Sequence, residues 1–112
     1  MTENVALAKA SWQVFEDFAG YLGDEEASAG LVKCGYLIAS PPGPKLEPLR
    51  AALAAQQAMG IEVQLLDHAQ ARELLPIARF DDAALIGYEP EPGFADAYLV
   101  ATGFARAARR AG

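Results

Sequence analysis

The adjacent residues Asp67 and His68 are the first candidates for catalysis in this chain. A carboxylate can orient an imidazole, which then acts as a general base towards a nucleophile. No serine or cysteine lies close to this pair in the sequence, so an independent small hydrolase would lack its nucleophile. We therefore expect His68 to be exposed in the first turn of a helix that Asp67 caps.

The thiol of Cys34 is a second candidate for chemistry. It is the only cysteine, so the chain can form no internal disulfide. Neither a histidine nor a second cysteine is nearby in sequence to activate the thiol or to share a metal ion with it. We expect Cys34 to lie in a strand as a small buried hydrophobic residue rather than to act as a nucleophile.

Two charged clusters could bind ions. The run Asp24-Glu25-Glu26 could contribute to a metal site, but carboxylates without a rigid turn or further ligands are usually solvated, so we expect an exposed loop. The second cluster could bind an anion, but its position at the end of a helix favours an interaction with the negative end of the helix dipole. It consists of Arg106, Arg109 and Arg110.

The composition is typical of a globular chain and limits its partners. Of the 112 residues, 53% are hydrophobic and 21% are charged, and the apolar runs are too short or too interrupted for a membrane span. The net charge of -6 argues against general nucleic-acid binding, which depends on clustered Lys and Arg. The N-terminus carries no signal-like pattern, so the cytoplasm is the expected compartment.

The spacing of apolar residues and the positions of glycine and proline predict alternating helices and strands. Gly23 is expected to end the first helix, and Gly35 to mark a bulge or a close backbone approach within its strand. Pro48 is acceptable only if it falls in the first turn of its helix. Asp67 and Gln70 form a predicted capping box. In order, the predicted elements are a helix over 2–22, a strand over 31–39, a helix over 46–59, a strand over 61–65, a short helix from 67, a strand over 84–89 and a helix over 96–112.

The C-terminal helix has the most unusual pattern. Asp96 is its predicted cap, and no charged residue follows until Arg106, so the helix is apolar or small almost all the way round. Such a helix belongs between two layers, and a chain of this length can hardly cover both of its sides. We predict an α+β fold with a small mixed sheet of about three strands, helices packed on one side, and an apolar C-terminal helix. Residues 1–112 would be a single domain and a piece of something larger.

Short motifs distributed along the chain carry a family resemblance. They are Gly35-Tyr36-Leu37-Ile38-Ala39, Ala58-Met59-Gly60-Ile61, Leu65-Leu66-Asp67, Glu73-Leu74-Leu75-Pro76, Gly87-Tyr88-Glu89-Pro90, Gly93-Phe94-Ala95-Asp96 and the run 105–112. In this order and spacing, over residues 12–112, they resemble the central segment of FAD-dependent oxidoreductases of the group that contains sarcosine oxidase, glycine oxidase and D-amino acid oxidase. One departure is Ala97, where the family commonly has a proline.

The resemblance implies that residues 31–89 belong to a substrate domain and that the helix from Asp96 returns to an FAD domain absent from this chain. Members of the family bind the FAD pyrophosphate through a G-x-G-x-x-G turn, and no such turn occurs here. We therefore expect FAD in the full-length enzyme and none bound by this chain alone. We assign no catalytic, cofactor-binding or metal-binding residue of the family to a position in this chain. Tyr36 and Tyr88 could face a substrate pocket, but tyrosines in strands more often pack.

Two functional hypotheses come before the hydrolase. In the first, the chain is a segment of an FAD-dependent amine or amino-acid oxidoreductase, inactive alone, whose partner is the remainder of the flavoprotein or a partner subunit. In the second, it is a stand-alone α+β interaction module that self-associates or docks a partner subunit through its apolar C-terminal helix. Neither hypothesis involves nucleic acid or a membrane.

Overall fold

The computed structural model describes the backbone of residues 2–112 and the side chains of residues 3–112. These residues form an α+β fold, as predicted, and all of their strand pairs are antiparallel. Each helix formed by these residues is too short or too polar to span a bilayer. The elements are α1 (Thr2–Glu16), α2 (Phe18–Leu22), β1 (Val32–Lys33), β2 (Tyr36–Ser40), α3 (Leu46–Ala58), β3 (Gln64–Leu65), α4 (His68–Leu74), β4 (Leu85–Glu89), β5 (Gly93–Phe94) and α5 (Ala97–Ala111).

Backbone contacts divide the chain into two compact units. The terminal unit comprises the residues up to Lys33 together with Gly93–Gly112, and the central unit is Cys34–Pro92. The pair of strands β1 and β5 belongs to the terminal unit, and the three-stranded sheet, in the order β2-β4-β3, belongs to the central unit. That residues 1–112 act as one domain of a larger protein stays a prediction.

The first predicted helix is interrupted in the terminal unit. Asp17 leaves helical geometry, with φ of -129°, and its carboxylate accepts a hydrogen bond from the backbone N–H of Gly20 at 3.1 Å. A single helix over 2–22 was the wrong prediction, because an aspartate can cap a new helix as readily as it continues an old one. Gly23 ends α2 in the left-handed conformation, with φ of 63°, as predicted.

Helix α5 packs against α2 through one of its sides. Asp96 caps α5, as predicted, by accepting from the backbone N–H of Leu99 at 3.0 Å. Gly103 is buried, and a Cβ atom there would lie 2.6 Å from the Phe18 ring. The rings of Phe18 and Phe104 meet edge to face with centroids 5.3 Å apart. The two helices can approach closely because residue 103 is a glycine and has no Cβ atom.

The predicted strand over 31–39 is divided into β1 and β2. Gly35 has φ of 75°, which directs the chain out of an extended conformation, and the two halves enter different sheets. A Cβ atom on Gly35 would lie 2.8 Å from Cε2 of Tyr88, which is the close approach predicted at this glycine. The prediction of one continuous strand over 31–39 was therefore wrong, although an irregular backbone at Gly35 was expected.

The central unit has a small core on each face of its sheet, because the neighbours Leu85 and Ile86 point to opposite sides. On the first face, α3 contributes Leu53, which packs with Val63 and Leu85. Gly87 makes this possible, since a Cβ atom there would lie 2.8 Å from Cδ1 of Leu53. On the second face, Ile86 packs with Ala71 of α4 and with Phe80.

Strand β3 is shorter than the predicted 61–65 because other groups use its first backbone atoms. The Ile61 N–H donates to the carbonyl of Gln56 and closes the end of α3. The side-chain amide of Gln57 donates to the carbonyl of Val63 at 2.8 Å. Gln64 and Leu65 pair with β4, opposite Tyr88 and Gly87, and the Leu66 N–H donates to the carbonyl of Ile86 at 2.9 Å.

We expect Leu53→Ala to destabilise the chain by about 2–5 kcal/mol, because it removes a side chain that is only 2% exposed and leaves a cavity. Leu65→Ala is the matched control, since Leu65 is 53% exposed, and it should cost less than about 1 kcal/mol. Urea unfolding followed by circular dichroism measures both. Equal losses in the two variants would contradict the assignment of Leu53 to the core.

Candidate functional site

Asp67 and His68 lie at the start of α4 and are held by separate hydrogen bonds. The Asp67 carboxylate accepts from the N–H of Gln70 at 2.8 Å, and the Gln70 side chain accepts from the N–H of Asp67 at 2.9 Å, which confirms the capping box. His68 is exposed, as predicted, and its Nε2–H donates to the carbonyl of Ala83 at 2.8 Å. The carboxylate therefore serves the helix end, and the imidazole fastens α4 to the segment before β4.

A shallow depression surrounds this pair. Its lining residues are Leu66, Asp67, His68, Ala83, Ala84, Leu85 and Ile86. None of these side chains is a serine, threonine or cysteine, so the lining supplies no hydroxyl or thiol for His68 to activate. The depression therefore lacks the nucleophile that a hydrolase would need.

Cys34 is exposed, and the prediction that it would be buried was wrong. It lies between β1 and β2, next to the left-handed Gly35, where the chain leaves one sheet for the other. Its thiol donates to the neighbouring carbonyl of Gly35, at 3.5 Å. A cysteine at such a junction faces no sheet core.

Asp24 is buried, with 7% of its surface exposed, so the prediction of a solvated acidic loop was wrong at this residue. Its carboxylate accepts from Nε of Arg106 at 2.7 Å and lies 3.5 Å from Nη1 of Arg110. It also accepts from the backbone N–H of Glu26 at 3.1 Å. Two of the arginines assigned to the helix dipole therefore pair with a specific carboxylate. Arginines at i and i+4 of one helix face could have suggested such a partner.

The ionisation of Asp24 follows from these contacts. Burial raises the pKa of Asp24, but the Glu26 N–H and the Arg106 guanidinium lower it by more, so its pKa lies below the usual range. The carboxylate is therefore charged at neutral pH. Its pairing stabilises the fold above about pH 4, the ordinary aspartate value, and is lost as the pH falls through the lowered pKa.

Tyr36 and Tyr88, the tyrosines considered for a substrate pocket, do not share a face of the sheet. Tyr36 pairs in register with Glu89, whereas Tyr88 pairs with Leu37 on the opposite face. Tyr36 is exposed, and the Tyr88 ring packs over Gly35. Burial raises the pKa of Glu89 beside Tyr36, which the sequence did not suggest. The structure thus brings together Tyr36 and Glu89 rather than the two tyrosines.

The residues needed to hold a dinucleotide or a metal ion are not assembled here. Gly87 lies in β4, Gly93 in β5 and Gly103 within α5, so none forms a turn between a strand and a helix as pyrophosphate binding requires. Among residues 2–112, no group of three or more His, Cys, Asp or Glu side chains could hold a metal ion. The described residues therefore include neither a pyrophosphate-binding turn of this kind nor a metal-binding cluster.

The side of α5 turned away from α2 is exposed and largely uncharged, and we call it the outer face. It consists of Tyr98, Ala101, Thr102, Ala105 and Ala108, all exposed. Tyr98 is 74% exposed. The Thr102 hydroxyl donates to the carbonyl of Tyr98 at 2.8 Å and is therefore satisfied within the helix. Alanines leave this face smooth, so another protein layer could approach it closely.

Comparison with known proteins places these features in a family context. The sequence profile of the family described as FAD dependent oxidoreductase (DAO) matches residues 2–112. L-proline dehydrogenase from P. horikoshii superposes with a TM-score of 0.79 at 21% identity, over 97% of this chain and 28% of its own. Glycine oxidase from Bacillus cereus ATCC 14579 superposes with a TM-score of 0.75 at 22% identity, over 96% of this chain and 30% of its own. No curated protein sequence matches the chain.

Substitutions of Asp67 test whether its carboxylate serves the helix end. Asp67→Ala should destabilise the chain by about 1 kcal/mol, because the Gln70 N–H loses its acceptor. Asp67→Asn is the matched variant, since asparagine retains a capping oxygen without the charge, and it should stay within about 0.5 kcal/mol of the wild type. Chemical denaturation measures both, and an equal loss in the two variants would contradict a capping role.

Proposed function

The chain belongs to the FAD-dependent oxidoreductase family, and on that premise we propose that it is a segment of an enzyme that oxidises an amine or an amino acid. The chain spans less than a third of the length of the two solved structures to which it is similar. The pyrophosphate-binding turn that this family needs is not among its residues. In this proposal the rest of the flavoprotein, or a partner subunit, supplies the FAD site.

The observation that carries the proposal is the exposed outer face of α5. An exposed apolar patch on a helix is a candidate for a surface that another protein layer covers. Only the side of α5 that bears Gly103 packs on α2. A helix that is uncharged from Ala97 to Ala105 and covered on one side is better suited to the interior of a larger protein than to a surface.

The division into two units supports the assignment of roles within that enzyme. The central unit corresponds closely to residues 31–89, which the family resemblance assigns to a substrate domain. Helix α5 lies in the other unit, as a helix returning to an FAD domain would. We propose that the central unit belongs to the substrate domain and that α5 belongs to the FAD domain. We also propose that the full enzyme is cytoplasmic.

The substrate class follows from the two similar enzymes. Their names specify proline and glycine, which share a carbon that bears both an amine nitrogen and a carboxylate. We propose that the full enzyme oxidises a compound of this α-amino-acid class at that carbon. The residues of this chain that face the reaction are not assigned, and the chain alone is expected to be inactive.

The cofactor part of the proposal is tested by mixing the purified 112-residue chain with FAD and separating the two by gel filtration. The protein peak should carry no flavin absorbance, and flavin fluorescence should not change on titration, because the phosphate-binding turn is missing. Glycine oxidase from Bacillus cereus treated identically is the positive control. Flavin that stays with the 112-residue chain would show that the cofactor site lies within it.

A second candidate function is that of an interaction module that associates with itself through the outer face of α5. The exposed ring of Tyr98 favours it, because aromatic side chains are enriched at the centres of protein interfaces. This candidate differs from the first in requiring association of the free chain at accessible concentrations.

Sedimentation velocity over a range of concentrations tests this candidate. Association should appear in the wild type and disappear in Tyr98→Asp, because the new carboxylate would be desolvated in the interface. Leu7→Asp is the matched control, since Leu7 is an exposed apolar residue of α1, 68% exposed, outside the outer face. A wild-type chain that sediments as a monomer at every concentration would exclude the self-association module.

A further inference from the structure

The two halves of α5 are held to the terminal unit by different interactions. In the first half, Gly103 and Phe104 pack against Phe18 of α2. Beyond Phe104 the helix contains only alanine and arginine: Ala105, Arg106, Ala107, Ala108, Arg109, Arg110 and Ala111. No apolar side chain larger than alanine is present to anchor these last two turns. Hydrophobic packing therefore ends before the helix does.

The carboxylate of Asp24 contacts this second half of α5, which lacks large apolar side chains. It accepts from Nε of Arg106 at 2.7 Å and lies 3.5 Å from Nη1 of Arg110, one turn further along the same side of α5. The arginines are about half exposed, whereas the Asp24 side chain is buried. A buried charge with two cationic partners constrains their positions far more than an exposed pair does.

The backbone around Asp24 is itself firmly placed. The N–H of Asp24 donates to the carbonyl of Ala19 at 3.1 Å, and its carbonyl accepts from the N–H of Ala27 at 3.0 Å. Gly23, in the left-handed conformation, ends α2 immediately before it. The position of the Asp24 carboxylate is therefore set by its own backbone hydrogen bonds as well as by its contacts with the arginines of α5.

We propose that Asp24 is an ionic latch that orders the last two turns of α5 and thereby completes the outer face of that helix. Ala105 and Ala108 of the outer face lie in these turns, so a smooth surface from Tyr98 to Ala108 exists only while the latch is closed. Without the carboxylate, Arg106 and Arg110 would face each other at i and i+4 with like charge, which destabilises a helix. The terminal turns would then fray.

An experiment can contradict the latch without contradicting the proposed function. Order in residues 105–111 is a property of the free chain and needs neither FAD nor a partner. Only the use of the completed outer face as a docking surface rests on the proposed function. The experiment therefore uses the free 112-residue chain at neutral pH, where Asp24 is charged.

Amide hydrogen exchange measured by NMR tests the latch in Asp24→Asn and Arg106→Gln. Protection of the amides of residues 107–111 should fall at least about tenfold in both, because local opening there no longer breaks the short ion pair between Asp24 and Arg106. The amides of residues 101–104, which belong to the half anchored by Phe18, should change less than about twofold. Glu25→Gln is the matched control, since it makes the same charge change at the exposed neighbour of Asp24.

Each outcome decides the proposal. A selective loss of protection in 107–111 supports it. Protection of 107–111 within about twofold of the Glu25→Gln value in both variants would overturn it. If Asp24→Asn fails to fold, Arg106→Gln decides alone, because Arg106 is about half exposed and we expect the fold to tolerate its replacement. A uniform loss across α5 in Arg106→Gln would also overturn it, since no separately ordered segment would then exist.

Discussion

The structure depends on how α5 is covered: the side that bears Gly103 packs against α2, and the opposite side is exposed. Between Asp96 and Arg106 α5 carries no charge, and the approach of Phe18 to Gly103 removes water from only one of its sides. Apolar surface left in water gains none of the roughly 25 cal/mol per Å² that burial provides. The remaining features of the terminal unit, including the cap at Asp96, fix where that uncovered side lies.

Local interactions were predictable from the sequence, and interactions between distant residues were not. The caps at Asp67 and Asp96 were identified because both partners lie within three residues of each other. Asp24 was placed in solvent because its partner Arg106 is 82 residues away. Composition alone makes an acidic run look solvated, and only the path of the chain returns α5 to that run.

The sequence indicated irregular positions better than it indicated their consequences. Gly35 was expected to mark a bulge or a close approach, yet its φ of 75° redirects the chain and leaves Cys34 exposed. Asp17 was counted within one amphipathic helix, although its side chain is a good cap for a new one. In both cases the hydrophobic pattern continues through the break, so periodicity gave no warning. The candidate site was limited in the same way, because the register that joins Tyr36 to Glu89 depends on pairing with β4.

The size of the outer face of α5 favours docking within a larger protein over self-association. A helix of 15 residues is roughly 22 Å long and about 10 Å wide, so one of its faces offers only a few hundred Å². A stable complex between separate chains buries about 800 Å² per partner and must overcome the entropy of association. A layer in the same polypeptide has a high effective concentration at that face and loses much less entropy on docking. The same alanine-rich face is thus marginal for a dimer and better suited to docking against a layer of the same polypeptide.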